Sequence, residues 1–395
     1  MSESIHNDNY YKKMFGRKIS STGTTIDLLE MPFDDFQRFL QPFNTGNKAL
    51  TTSMFGINHR DVKTVTQSDK DQQGYVFFTR PQLNLTDDNC RAHRTFMNLL
   101  VQDKNNIFRY IRNLLDPRLG TIVHKLYNTG KETYVTGAGP ANICEFLDNE
   151  NPFVIPFTNY ITSCTGWPEP ILPTYTSQEG VNGEQISQVD GNMDIYNTYD
   201  ISCTFRNVKE SIILLIAYYW SLYSSLVFNG SMTPYHDMIA ANEYDYNTRI
   251  WRLILDESKT RVKYIGSTGA SFITAPNIAS VFNFNEGNPY VDQNREITIN
   301  FRSIGACYHD PILIKEFNTT VGIFNPDMAI IHREKLTGKI SGRTNYRKIP
   351  QNLLSLFNFR GYPMIDYETN ELEWFMDKNS PTYRRAMDIA SSGTL

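Results

Sequence analysis

The sequence NVKESIILLIAYYWSLYSSLVF, residues Asn207 to Phe228, is the segment around which we expect the rest of the chain to pack. Its last 18 residues carry no charge and no helix-breaking residue, which makes a rod of roughly 27 Å. Asn207 is the expected N-cap, Glu210 lies in the first turn, and Asn229-Gly230 is the expected stop. Because apolar side chains surround most of this helix, we predict that it is central and largely buried.

A transmembrane span is the alternative for this segment, because about 20 predominantly apolar residues are enough to cross a bilayer. Ser and Tyr side chains interrupt the segment, and polar, strand-like sequence flanks it on both sides. These features favour the buried helix of a large soluble domain, and we predict no membrane contact.

The composition is that of a globular protein with real cores. The chain has 395 residues, is 40% hydrophobic and 13% aromatic, and carries a net charge of −4, which argues against a dedicated nucleic-acid binder. Five scattered cysteines without a CxxC pair predict reduced thiols in a cytoplasmic folding environment and no zinc site. They are Cys90, Cys144, Cys164, Cys203 and Cys307. The polar N-terminus predicts no secretory signal.

Changes in composition along the chain predict five regions. Residues 1–70 form an extended N-terminal arm, 71–166 a mixed strand and helix subdomain, and 167–192 a linker or long loop rich in Pro, Gly, Ser and Gln. Residues 193–320 form an α+β core domain, and 321–395 a basic loop followed by a C-terminal arm. Both arms are expected to dock on neighbouring domains or subunits.

The strand signals fall on both sides of the central helix. Predicted strands cover Gly74–Arg80, Met193–Phe205, Arg249–Leu255, Arg261–Ile265, Ser280–Asn285 and Arg295–Ala306, with helical sequence from Thr86 to Leu115. The glycine-rich stretch Gly266–Ser271 is interpreted as a loop between strands. We therefore predict an α+β fold, in which a mainly antiparallel sheet packs on a long central helix and extended arms form both ends.

One group of basic residues is the candidate partner contact. Between positions 333 and 348 the sequence has a single acidic residue, Glu334, and we predict a basic loop. The basic residues of this loop are Arg333, Lys335, Lys339, Arg343, Arg347 and Lys348. They could contact an acidic protein surface or nucleic acid, or they could simply be solvated. A solvated loop is favoured over the two binding interpretations, because no aromatic residues are interleaved with the charges.

The sequence has no catalytic signature. GxSxG, HExxH and Gly-Lys-Ser/Thr phosphate-loop motifs are absent from the sequence. Two His-Asp pairs, His309-Asp310 and His236-Asp237, are adjacent in sequence, and the side chains of adjacent residues cannot orient one another without additional tertiary contacts. We predict that the protein is not an enzyme and that it uses no cofactor, metal or small-molecule substrate.

Two phrases resemble virion structural proteins of large tailed bacteriophages: GYVFFTRPQLNL at Gly74–Leu85 and EITINFRSIGACYHDPILIKEFN at Glu296–Asn318. The likeness covers roughly residues 74 to 320 and consists of short phrases, without a catalytic motif. It implies a protein built into the tail, baseplate or neck in several copies, with arms that clasp its neighbours. No family catalytic residues are carried over.

The resemblance and the composition point to the same function. We expect a structural virion subunit, assembled in the host cytoplasm, whose partners are copies of itself and other virion proteins. Two alternatives remain open at this stage: a nucleic-acid-contacting neck or capsid component that uses Arg333 to Lys348, and a cell-wall-degrading virion enzyme.

Overall fold

The computed structural model describes residues 74–92, 97–102, 107–120, 144, 147–191, 193, 197–283, 286–287, 295–337, 344–350, 353–354, 357 and 361–391. The predicted N-terminal arm, residues 1–70, lies outside these ranges. The described helices are α1 (Asp87–Ala92), α2 (Leu99–Gln102), α3 (Ile107–Leu115), α4 (Ile155–Tyr160), α5 (Ile212–Phe228), α6 (His236–Ala241), α7 (Pro311–Phe324), α8 (Pro326–Thr337) and α9 (Pro381–Ser391). The described strands are β1 (Gly74–Phe78), β2 (Ile161–Thr165), β3 (Thr174–Thr176), β4 (Ser187–Val189), β5 (Thr198–Arg206), β6 (Ile250–Leu255), β7 (Val262–Ala275), β8 (Glu296–Tyr308), β9 (Tyr346–Lys348), β10 (Tyr362–Ile365) and β11 (Leu372–Asp377).

A six-stranded antiparallel sheet organises the fold, as the α+β prediction requires. Its order is β1-β6-β7-β8-β5-β2, and every neighbouring pair runs antiparallel. Strands β1 and β2 come from the predicted 71–166 subdomain, while the other four come from the predicted 193–320 core. These two predicted regions therefore share one sheet.

The sheet separates two hydrophobic cores. Because successive side chains of a strand point to opposite faces, Val76 and Phe78 of β1 lie in one core and Phe77 lies in the other. The first core joins α3 and α5 to β5 and β8, and the second joins α7 and α8 to β6, β10 and β11. A three-stranded sheet, β10-β11-β9, borders the second core.

Helix α5 starts later than predicted. The backbone N–H of Asn207 donates to the carbonyl of Arg295 at 2.9 Å, so Asn207 continues the β5–β8 pairing and does not cap the helix. A 3₁₀ turn follows, and Glu210 and Ser211 adopt left-handed φ angles of 67° and 50°. The 17-residue helix then ends as predicted, with Gly230 at a φ of +68°.

Helix α5 packs its buried face in the first core. Trp220 is fully buried, donates from its indole Nε1 to the carbonyl of Tyr246 at 2.8 Å, and stacks on Phe157. By length and composition alone the stretch Lys209–Phe228 could cross a membrane, a property that buried helices of soluble proteins share.

The interpretation of Gly266–Ser271 as a loop was wrong, because these residues lie in the middle of the 14-residue strand β7. A Cβ on Gly269 would lie 2.7 Å from the carbonyl oxygen of Ile304 on β8, so glycine permits close backbone approach there. The predicted strand Ser280–Asn285 was also wrong, since Ile278–Phe282 is a 3₁₀ turn.

The predicted basic loop contains a helix. Asn325 accepts hydrogen bonds from the backbone N–H groups of Asp327 and Met328, and Pro326 occupies the first helical position of α8. Met328 and Ile331 are buried against the second core. Arg333 and Lys335 therefore lie on a helix packed on the protein body.

The described part of the predicted C-terminal arm is folded onto the body instead of extended. The side chain of Asn318 on α7 donates to the carbonyl of Ile365 at 2.7 Å and accepts from its N–H at 2.8 Å, which holds β10 in place. Apolar side chains from β11, α9 and the segment between β9 and β10 form a third core: Ile349, Leu353, Phe357, Met376 and Ala386. The short apolar segments in this region are therefore parts of a core.

Candidate assembly surface

The most exposed feature of the described chain is the segment 167–191, which we call the acidic hairpin. It leaves the large sheet at Gly166, whose φ is +98° and where a Cβ would lie 2.2 Å from the carbonyl oxygen of Asp200. At its base the Tyr308 hydroxyl donates to the Pro168 carbonyl at 2.5 Å, and the rings of Trp167 and Tyr308 lie 6.1 Å apart. The base is thus anchored to the protein body.

Beyond its base the acidic hairpin is a two-stranded ribbon. Strands β3 and β4 pair antiparallel, with Tyr175 opposite Gln188. The tip is closed by the N–H of Gly180, which donates to the carbonyl of Glu184, and by Gly183, whose φ is +77°. The sequence predicted a long surface excursion here, and the structure adds that the excursion has its own strand pairing.

Apolar side chains and carboxylates cover the acidic hairpin. Ile171 is 71% exposed, Ile186 is 70% exposed, and Val181 at the tip is fully exposed. Segment 167–191 also contains four carboxylates, Glu169, Glu179, Glu184 and Asp190, and no Lys or Arg. The feature therefore combines uncovered apolar surface with one sign of charge.

The predicted partner-contact residues fall into three groups. Arg333 and Arg347 are exposed, and Arg347 donates to the carbonyls of Thr344 and Tyr346. Lys335 and Lys348 are ion-paired within the chain. Lys339 and Arg343 lie outside the described residues.

The two lysines meet at Glu373. Lys335 Nζ lies 2.8 Å from Asp366 and 2.5 Å from Glu373, and Lys348 Nζ lies 2.7 Å from Glu373. Burial alone would raise the pKa of Asp366, but hydrogen bonds from Lys335 and from backbone N–H groups outweigh burial and lower the pKa to about 2. The sequence suggested unopposed charge at these positions, because the acidic partners come from a distant part of the chain.

The outward face of β2, β5 and β8 carries mainly polar side chains, with the exposed Ile304 as an apolar exception. Thr204 and Thr298 lie side by side with their hydroxyl oxygens 3.2 Å apart, and Thr162 donates to the carbonyl of Thr204. The charges Asp200 and Arg302 on this face form an ion pair at 2.7 Å. This part of the sheet therefore presents hydroxyl groups with little uncompensated charge.

Comparison with known proteins decides the class of protein. A family model described as "Putative phage tail tube protein" matches residues 38–391, which is most of the chain. The chain belongs to this tail tube family. It is accordingly a structural component of the phage tail and of the virion, and tail tube proteins assemble in many copies with other virion proteins.

A solved structure described as the anti-feeding prophage cap, the cap that terminates the AFP tube, is 11% identical, with a TM-score of 0.24. The match covers 38% of this chain and 81% of that chain. No curated protein matches.

Within the described ranges, no group of three or more His, Cys, Asp or Glu residues is arranged to hold a metal ion. The tail tube family is a structural one.

Proposed function

We propose that this protein is a repeating subunit of a phage tail tube, assembled in the host cytoplasm, and that the acidic hairpin of one copy binds a second copy. The observation that carries the proposal is the exposed apolar surface of residues 167–191. A two-stranded hairpin without a partner is marginally stable in water. Contiguous exposed apolar surface is typical of protein interfaces. Contact with the next subunit would cover the apolar side chains and order the ribbon.

Charge complementarity suggests where the acidic hairpin docks. The hairpin offers carboxylates at Glu179 and Glu184 beside its exposed apolar tip. The exposed residues Arg333 and Arg347 lie on the protein body and offer the opposite charge. Opposite potentials steer association and fix the register of two subunits. We therefore assign the predicted partner contact to the acidic hairpin of a second copy.

The polar face of β2, β5 and β8 is the proposed lining of the tube channel. A channel that passes DNA needs a surface that stays wet and does not hold the phosphates tightly. Hydroxyl groups such as those of Thr204 and Thr298, with the neutralised pair Asp200–Arg302, meet that requirement. In this proposal nucleic acid is a transient contact, and the subunit performs no catalysis.

Assembly of purified protein tests the hairpin contact. In the double variant Val181→Ser and Ile186→Ser, both changes remove exposed apolar groups and should leave the folded monomer intact. The matched control is Phe282→Ser, which removes a 79% exposed aromatic side chain outside the hairpin. Negative-stain electron microscopy and sedimentation velocity then compare the products. We expect rings or tubes from the wild type and the control, and monomers from the double variant.

Circular dichroism and the melting temperature of the monomers separate assembly from folding. If the double variant assembles as efficiently as the wild type, the hairpin contact is wrong. If no form of the purified protein assembles, even in the presence of the other tail proteins, the proposed subunit role itself fails.

A further inference from the structure

Two thiols face each other at the edge of the large sheet. Cys164 lies on β2, which has one neighbour among the described strands, and its register partner on β5 is Cys203. Their Sγ atoms are 3.7 Å apart, and both residues are free thiols. Directly opposed residues of antiparallel strands have Cα atoms about 4.5 or 5.5 Å apart, and both values suit a disulfide.

We propose that Cys164 and Cys203 are a modification site, at which oxidation by a small-molecule disulfide forms a cross-strand disulfide that clamps the base of the acidic hairpin. The two cysteines are 39 positions apart, and the acidic hairpin lies between them. The disulfide would hold β2 to β5 regardless of the conformation of the two-stranded ribbon formed by β3 and β4. This chemistry does not depend on the proposed docking of the hairpin.

The surroundings distinguish the two thiols. Cys203 is fully buried, whereas Cys164 is partly exposed. The hydrogen bond between the two thiols lowers the pKa of Cys164, and the same hydrogen bond together with burial raises the pKa of Cys203. Because the thiolate is the nucleophile, Cys164 is the thiol that reacts first with an external reagent.

The reaction has two balanced exchange steps. The Cys164 thiolate attacks one sulfur of the small disulfide; a mixed disulfide forms, and one thiolate leaves and takes up the proton that Cys164 lost. Cys203 then attacks Cys164 Sγ, which forms the cross-strand bond and releases the second small thiol, protonated by the hydrogen from Cys203. Two electrons pass from the protein to the oxidant. The sulfurs must approach each other by roughly 1.7 Å, the difference between their 3.7 Å contact and a disulfide bond.

The redox conditions inside and outside the host cell are compatible with this chemistry. A protein folded in a reducing cytoplasm keeps free thiols, and a particle released from the cell meets an oxidising environment. The disulfide would therefore form after assembly and would mark the mature particle.

Thiol counting in the full chain tests the assignment. The reduced protein is incubated with oxidised glutathione, denatured, alkylated and weighed intact by mass spectrometry. We expect the number of alkylated thiols to fall from five to three, with loss of two hydrogen atoms. Peptide mapping should then join the segments that contain Cys164 and Cys203. Five alkylated thiols, a stable glutathione adduct on Cys164, or a link between other cysteines or between chains would each overturn the proposal.

Two variants make the test specific. Cys203→Ala should keep four thiols before oxidation and trap a glutathione adduct on Cys164. The control Cys307→Ala should still lose two thiols, since Cys307 lies outside the pair. A brief protease digest that cuts within the acidic hairpin gives an independent readout. The two fragments should stay joined on a non-reducing gel only after oxidation.

Discussion

The hydroxyl of Tyr235 donates a hydrogen bond to Asp116 Oδ2 at 2.8 Å, which joins two segments 119 positions apart in the chain. Asp116 is completely buried and also accepts from the backbone N–H groups of Leu85 and Arg118. Burial raises its pKa to about 6, and these hydrogen bonds only partly oppose the effect of burial.

The buried Asp116 should make stability depend on pH. Its pKa is higher in the folded state than in the unfolded state, so the folded protein binds a proton more tightly. Its favourable contribution is therefore complete below about pH 4 and is lost as the pH rises through about 6. Two pKa units correspond to about 3 kcal/mol. Urea unfolding of the wild type and of Asp116→Asn at several pH values measures this contribution.

The difference in the free energy of unfolding between the wild type and Asp116→Asn isolates the contribution of the Asp116 carboxyl group. The free energy of unfolding of the wild type relative to the variant should fall by roughly 2.5 kcal/mol between pH 4 and pH 7. Other carboxyl groups titrate in both proteins and cancel. A difference that is constant across this pH range would show that Asp116 has an ordinary pKa.

Asn318 should be essential for holding the C-terminal strands. Asn318→Ala leaves the buried N–H and carbonyl of Ile365 without their partner, and each unsatisfied group costs about 1–3 kcal/mol. We expect a loss of about 3 kcal/mol in urea unfolding. The control Asn300→Ala changes an exposed amide on β8 and should stay within about 0.5 kcal/mol. Equal losses in both variants would contradict the assigned role.

Gly269 should tolerate no side chain. Gly269→Ala places a methyl group 2.7 Å from the backbone oxygen of Ile304, so β7 and β8 must separate locally. Forced backbone shifts of this kind cost about 1–3 kcal/mol. At Gly266 the nearest atom belongs to the Tyr308 side chain at 3.3 Å, which can move, so Gly266→Ala should cost less. Thermal unfolding of the two variants gives the comparison, and the reverse ranking would refute the close-approach explanation.

Charge reversal tests the proposed docking between copies. Arg333→Glu with Arg347→Glu should raise the protein concentration needed for assembly by about tenfold, equivalent to about 1.4 kcal/mol. Glu179→Arg with Glu184→Arg should do the same. A chain that carries all four changes restores opposite charges and should assemble like the wild type. Failure of this rescue, with folded monomers in every case, would place the contact elsewhere.

Local sequence patterns predicted the features of the fold that short segments of the chain determine by themselves. Alternating apolar residues identified β1 and β8, and Asn229-Gly230 identified the end of α5, because strand periodicity and left-handed caps are properties of short segments. Pro, Gly and polar residues identified the excursion at 167–192. The phrases at Gly74–Leu85 and Glu296–Asn318 pointed to a phage structural protein.

Tertiary structure decided the features that depend on distant partners. The start of α5 moved because Asn207 pairs with Arg295, and Gly269 lies inside a strand because Ile304 approaches it closely. Lys335 looked unopposed because its carboxylate partners, Asp366 and Glu373, follow it by some 31 and 38 positions in the chain. Sequence patterns indicate the conformational preference of a residue. Its tertiary contacts depend on which distant segments the fold brings close to it.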